Sequence, residues 1–238
     1  MKHSNQLALA LAAAVGLSSA ALAGTVDTGT SDLILGFRDT SATSVNLEVN
    51  LGNVSQFTEA AAGSSFVVSR LDGADLNTVF TSGWNSSTLQ FGVIGTTGKA
   101  GNGAVGPDGQ SLSTIWMSWD GASAPLSKIA SLQNTPVTDI LKLFTPSQPA
   151  SLNSVSSSAI ILSNPYSAQI DATGLGSWSQ SETTTSAFGG PNSLAGFEST
   201  GGFSGSVSFD LYELLPVNGS GALVGTFNLT DTGVLSFT

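Results

Sequence analysis

The side chains in this sequence best suited to acid–base work are carboxylates: Asp72, Asp75, Asp120, Glu182, Glu198, Asp210 and Glu213. Glycoside hydrolysis needs two of them facing each other across a cleft. No spacing in the sequence pairs any two, and most sit where caps, turns or solvated strand faces explain them. The single histidine is His3 and cysteine is absent. A Ser-His-Asp or Cys-His arrangement therefore lacks its base, and zinc, haem and iron–sulfur centres lack their usual ligands. Calcium takes oxygen ligands, but Asp72-Gly73-Ala74-Asp75 and Pro107-Asp108-Gly109 are too short for a D-x-D-x-D-G loop. Gly101-Asn102-Gly103-Ala104-Val105-Gly106 carries the letters of a dinucleotide-binding turn. Pro107-Asp108-Gly109 stands where the phosphate-binding helix would begin, so a hairpin loop is the better reading. The sequence thus predicts no catalytic residue, no metal ligand and no cofactor.

Aromatic side chains offer binding rather than catalysis. Trp116 and Trp119 are three positions apart, so in one regular strand they point to opposite faces, one into a core and one outward. Trp119 beside Asp120, and Trp178 in a polar stretch, are the candidate ligand-binding residues, able to stack on a sugar ring. Core packing or loop anchoring is the competing use of both tryptophans.

The elements that must position these residues read as strands. Leu33-Ile34-Leu35-Gly36-Phe37-Arg38 is an apolar run, and Val45, Leu47, Val49 and Leu51 alternate with Asn46, Glu48 and Asn50. The second pattern predicts a half-buried strand with one wet face. Leu89, Phe91 and Val93 alternate in the same way, as do Ile115, Met117 and Trp119. Near the end, Val207, Phe209 and Leu211 alternate with Ser206, Ser208 and Asp210. Turns at Asn218-Gly219-Ser220-Gly221 and Asp231-Thr232-Gly233 then separate residues 223–229 and 234–237. Three consecutive antiparallel strands follow from that pattern, with Pro216 stopping the first. Helix is the minority element. Thr135 as cap, Pro136 at the first helical position and Val137, Ile140, Leu141 and Phe144 on one stripe predict a helix ending before Pro146. Asp72 is the expected cap of a short turn carrying Leu76, Val79 and Phe80. Residues 147–158 and 177–205, rich in Ser, Thr and Gly, read as long loops or edge strands. The fold class expected is mainly β, an antiparallel β-sandwich or jelly-roll-like fold with one or two short helices.

Lys2 and His3 precede an apolar stretch over residues 7–17, and small residues lead to Ala21-Leu22-Ala23. This is the pattern of an export signal, residues 1–23, cleaved between Ala23 and Gly24. The apolar run is shorter than the roughly 20 residues a membrane span requires. A single β-rich extracellular domain is then expected over residues 24–238, with no transmembrane anchor. Six basic residues against sixteen acidic ones give a net charge of −10. Nucleic acid, which needs clustered Lys and Arg, is excluded as an expected partner.

Three stretches, in order, resemble a known group of bacterial proteins. The first is Asp32-Leu33-Ile34-Leu35-Gly36-Phe37-Arg38. The second runs from Val45 through Leu51-Gly52-Asn53, Gln56-Phe57 and Asp75-Leu76-Asn77-Thr78-Val79-Phe80 to Gly83-Trp84-Asn85. The third joins Phe209-Asp210-Leu211-Tyr212 to Gly225-Thr226-Phe227-Asn228-Leu229 and Gly233-Val234-Leu235-Ser236-Phe237. Together they resemble exported proteins of the PEP-CTERM type, common in Verrucomicrobia and Planctomycetes. The resemblance is loose over residues 99–202. It implies a cell-surface or matrix protein without assigned activity, and it carries over no site residues. Such proteins continue into Pro-Glu-Pro, an apolar helix and a basic end, which is not part of the sequence ending at Thr238. The expected function is a non-enzymatic surface or extracellular-matrix role in the extracellular space or cell envelope. The alternatives are a carbohydrate-binding module and, third, a carboxylate glycosidase. Extracellular polysaccharide and other surface proteins are the expected partners. Mass spectrometry of the chain recovered from the exported fraction should find Gly24 at the amino terminus; an intact Met1 would refute the export reading.

Overall fold

The computed structural model describes residues 31–41, 45–80, 83–99, 111–144, 160–161, 167–171, 177–179 and 197–238. Along the chain lie β1 (Asp32–Asp39), β2 (Val45–Asn53), α1 (Ser55–Thr58), β3 (Phe66–Val67), α2 (Gly73–Val79), β4 (Leu89–Thr96), β5 (Ile115–Trp119) and β6 (Leu126–Ser127). There follow α3 (Ala130–Phe144), β7 (Ile160–Ile161), β8 (Ser167–Asp171), β9 (Ser199–Thr200), β10 (Ser206–Leu214), β11 (Gly219–Ser220), β12 (Ala222–Thr230) and β13 (Leu235–Phe237). The main sheet is antiparallel and runs β3-β13-β12-β10-β5-β4-β1-β2-β8-β7, with β9 pairing β4; β6 and β11 form a small separate ribbon. The protein is mainly β, a curled antiparallel sheet of the sandwich or barrel-like kind, with α1, α2 and α3 among its described residues.

Alternation along the strands sorts side chains between two faces. Leu33, Leu35 and Phe37 of β1, Leu47, Val49 and Leu51 of β2, and Phe91 and Val93 of β4 enter one core. Trp116, Phe209, Leu211, Phe227, Leu229, Leu235 and Phe237 complete it from the other strands. Ring centroids step across this face from Phe37 to Phe91 at 5.7 Å, Phe209 at 5.5 Å, Phe227 at 5.4 Å, Phe237 at 4.8 Å and Phe57 at 5.1 Å. Offset and tilted contacts of this kind add to the apolar area the rings bury. The sheet curls around the row, which brings α1 against β12.

The second core lies on the opposite face. Val137 and Ile140 of α3 pack there with Ile34, Ile94, Ile115, Met117, Leu214, Trp178 and Phe197. This cover corrects the expected wet face of β2: Asn46, Glu48 and Asn50 are 1%, 5% and 1% exposed. Residues 177–179 are laid over Asn46 and Glu48, and Asn50 is held by Asp32 and Arg70, so the polar half of the alternation faces protein.

The third strand group is as expected, with β10, β12 and β13 consecutive and antiparallel. Asp72 caps α2 by accepting from the Ala74 N–H at 2.8 Å, with Leu76 buried beneath. The other helix departs from expectation. It starts at Ala130, and Pro136 lies inside it rather than at its first position. Gln133 explains the earlier start: its Oε1 accepts from the Lys128 N–H at 2.8 Å, and its Nε2 donates to the Ser113 and Leu214 carbonyls at 2.6 and 3.2 Å. That pins the first turn to the sheet before the sequence reaches Thr135. The Phe144 side chain, residues 147–158, residues 101–106 and the expected export signal with Ala23 and Gly24 lie outside the described residues.

Phe227 is fully buried and touches the rings of Phe57, Phe209 and Phe237. Phe227→Ala should lower unfolding free energy by about 3–5 kcal/mol, read as the shift of the urea midpoint at unchanged slope.

Candidate functional site

Two polar assemblies stand on the sheet face opposite the phenylalanine row, one sealed and one open. The sealed one is built on Gly36 and Gly92. A Cβ at Gly36 would lie 1.9 Å from the Trp178 ring, and one at Gly92 would lie 2.7 Å from the Phe197 carbonyl. Only the bare backbone of glycine lets the overlying segments come so close. Trp178 is accordingly 2% exposed, its Nε1 donating to Glu198 Oε1 at 2.7 Å. Glu198 is gripped from the sheet by Arg38, with Nε donating at 2.9 and 3.1 Å and Nη2 at 2.5 Å; Nη2 also donates to Gln90. Arg38 and Gln90 are cross-strand neighbours. Ser179 completes the seal through a reciprocal pair with the Asn46 amide at 2.7 and 2.8 Å.

Glu48 lies under this cover, directly across from Gly36. Burial pushes its carboxyl up to about 8, against the opposing effect of a hydrogen bond from the Trp178 backbone N–H. Its Oε1 has no hydrogen-bond partner. At neutral pH the group therefore sits in the protein as a neutral acid, which is the form burial favours. Glu213 on β10 is also raised, by burial, against the smaller lowering effect of the Trp116 side chain. Although Trp116 and Glu213 are register partners, the Trp116 nitrogen makes no hydrogen bond of full geometry.

The open assembly occupies the same sheet face beyond β5, where none of the described segments is laid over it. Ser206, Ser208 and Asp210 of β10 pair with Thr230, Asn228 and Thr226 of β12. Ser236 of β13 pairs with Asn228. The rows bond across the strands: Thr226 Oγ1 donates to Asp210 Oδ1 at 2.8 Å, and Asn228 Nδ2 to Ser208 Oγ at 3.0 Å. Trp119 is the register partner of Asp210, and Tyr212 that of Met117, so both aromatic rings border the polar rows. Trp119 is half-buried, with one side against the second core and its Nε1 donating to the Ser123 carbonyl at 2.6 Å. A fixed indole edge beside hydroxyls, an amide and a carboxylate can stack on an apolar ring face and hydrogen-bond its rim.

The sequence candidates thus part company. Trp119 borders the open face. Asp120 is exposed at the end of β5. Trp178, expected in a polar loop, is instead sealed over Gly36, where no ligand ring can reach it. Asp72 is taken up as a helix cap, Glu198 by Arg38 and Trp178, and Asp210 by Thr226. Glu182 lies outside the described residues. Tyr212, Thr226, Asn228 and Ser208 were not singled out by sequence, although their positions in the alternating C-terminal strands place them on one face. A cleft of about 690 Å³ runs between Val67, Leu71 and the start of α2 on one side and Thr232 and Val234 on the other. Its carboxylate is Asp72, already engaged as the cap. Among the described residues no group of three or more His, Cys, Asp or Glu could hold a metal ion. Among them, too, no helix is long and apolar enough to cross a membrane. No protein-family model, curated protein or solved structure matches the chain.

Glu48 makes stability depend on pH. Between its unfolded value near 4.5 and about 8, the folded chain holds a proton that the unfolded chain has released. Stability is therefore full below the unfolded value and falls as pH rises, levelling above about 8, at no more than about 1.4 kcal/mol per pH unit. Glu213 adds a smaller slope of the same sign. Urea titrations from pH 5 to pH 9 should show this decline in the native protein and a clearly shallower one in Glu48→Gln. Equal slopes would show that Glu48 ionises freely in the fold.

Proposed function

We propose that this protein is an exported, non-enzymatic surface or matrix domain that holds extracellular polysaccharide against the open face of β5, β10, β12 and β13. The observation that carries the reading is the placement of Trp119 beside the Asp210–Thr226 and Ser208–Asn228 rows. Polysaccharides present alternating apolar ring faces and hydroxyl rims, and this face offers a partner for each. The lack of strong positive charge suits a neutral glycan better than an anionic one. The structural employment of Asp72, Glu198 and Asp210 supports a binding role over hydrolysis, because each carboxylate already has a named protein donor. The export pattern and the resemblance to PEP-CTERM-type proteins support an extracellular setting.

The test is retention of residues 24–238 on insoluble and gel-embedded polysaccharides, with released reducing sugar assayed in parallel. Retention without release is expected, and Trp119→Ala should weaken it about tenfold, the equivalent of about 1.4 kcal/mol. Asn228→Ala should weaken it less. Sugar release that disappears on a single carboxylate change would replace this reading with a glycosidase. Retention indifferent to Trp119 would move the binding surface elsewhere.

A further inference from the structure

Asp210 stands at the centre of the open face. Across the strands its register partners are Trp119 on β5 and Thr226 on β12, and along β10 its neighbours on the same face are Ser208 and Tyr212. Thr226 Oγ1 donates to Oδ1 of the carboxylate, and Oδ2 has no partner among the described residues. Positions on one face lie about 5 Å apart across strands and about 7 Å apart along a strand. A group seated on Oδ2 is therefore within reach of both aromatic side chains. Each ring is anchored on one side by the second core and keeps a part in solvent. The Trp119 indole is fixed further by Gly121, where a Cβ would come within 2.4 Å of its nitrogen.

The charges around this face have one sign. From residue 143 onward the sequence contains Asp171, Glu182, Glu198, Asp210, Glu213 and Asp231 and no Lys or Arg. β5 is itself uncharged and is followed by Asp120. Glu213 turns to the inner face with Trp116, and Asp231 accepts from the Gly205 N–H at 2.9 Å in a turn. Asp210 is the carboxylate that β10, β12 and β13 present on the open face. The basic residues lie elsewhere: Arg38 is bound by Glu198 under the cover and Arg70 donates to Asn50. Lys99 follows β4, Lys128 follows β6 and Lys142 belongs to α3. A carboxylate flanked by aromatic rings attracts an organic cation, through a charge-assisted hydrogen bond and through the negative faces of the rings. The same carboxylate repels a sugar carrying uronate, sulfate or phosphate.

We infer that the polysaccharide held by this face carries free amino groups, a polymer of amino sugars at least partly without N-acetylation, whose ammonium is bound by Asp210 beside Trp119 and Tyr212. The inference rests on the reading of this face as a polysaccharide site and narrows it to one chemical class. The ammonium donates to Asp210 Oδ2 next to the two rings, and the pyranose hydroxyls meet Ser208, Thr226 and Asn228. A single exposed ion pair is weak. A polymer with amines on successive sugars also meets Asp120, the residue after Trp119, and that second contact forms within the complex rather than from solution.

Retention of residues 24–238 on one polymer in two chemical forms tests it: a β-1,4-linked glucosamine polymer with its amines free, and the same polymer after its amines are acetylated. Stronger retention on the free-amine form is expected, weakening as salt is raised. Asp210→Asn keeps an oxygen for the Thr226 hydroxyl and removes the charge, so it should weaken retention on the free-amine form about fivefold and leave the acetylated form almost unchanged. Glu59→Gln removes the same charge at an exposed position after α1 and should alter neither, with near-ultraviolet circular dichroism checking that both variants keep the fold. Equal retention on the two forms would overturn the amine assignment while the polysaccharide reading stands. Retention on neither form, nor on any neutral polysaccharide, would remove that reading and this inference with it. A preference for the free-amine form that Asp210→Asn and Glu59→Gln reduce alike would trace it to net charge and overturn the assignment to Asp210.

Discussion

An antiparallel sheet with no cysteine to cross-link it must take its cohesion from one continuous apolar interior. Here that interior is the row of phenylalanine rings running from Phe37 through Phe91, Phe209, Phe227 and Phe237 to Phe57. Each ring belongs to a different element. Once the rings are in contact the sheet is obliged to curl, because strands as far apart in it as β1 and β13 contribute to the same row. The small helices follow from that curl. α1 offers Phe57 to the row and α2 offers Leu76, so both lie where the sheet closes over its own inner face.

The outer face is treated unequally, and the inequality separates structure from function. Over β1, β2 and β4 it is sealed by residues 177–179 and 197–200, and the cost of burying polar groups there is met by paired hydrogen bonds. Arg38 and Glu198 have side chains only 15% and 9% exposed. A pair so enclosed brings its charges out of water at considerable expense, so its use is to fix where the cover sits more than to add net stability. Beyond β5 no described segment continues the cover. The same alternation that hides Asn46 and Glu48 in one half of the sheet presents Asp210, Thr226 and Asn228 to solvent in the other.

Much of the framework was readable in the sequence because it depends on local regularities. The alternation of Val207, Phe209 and Leu211 with serines and an aspartate located β10. Gly233, with its φ of +84°, marked the turn into β13, and Asp72 announced α2. The opposite facing of Trp116 and Trp119 followed from their spacing alone. What could not be read was the outer cover, since a serine-rich stretch carries no periodicity and Trp178 gave no hint of the glycine it would rest on. Glu48 illustrates the limit: between Leu47 and Val49 it has the pattern of a solvated residue, and only a segment about 130 positions away turns it into a buried acid. Helix α3 shows the same thing on a smaller scale, its start being set by side-chain bonds from Gln133 to strands that sequence spacing does not reveal. The open face was half legible, with Trp119 identified and its polar neighbours recognised only as strand residues.

The separation of the groups that make the outer seal has a kinetic meaning. Arg38 and Glu198 lie 160 positions apart, while the β1–β2 and β10–β12 hairpins join near neighbours. Hairpins of that kind close in microseconds, whereas contacts between remote segments must first meet the loop entropy of everything between them. Closure of the outer seal over Asn46 and Glu48 therefore meets a larger loop-entropy cost than pairing of the hairpins beneath it, and the Glu48 carboxyl gives up its water only when the segment around Trp178 is in place.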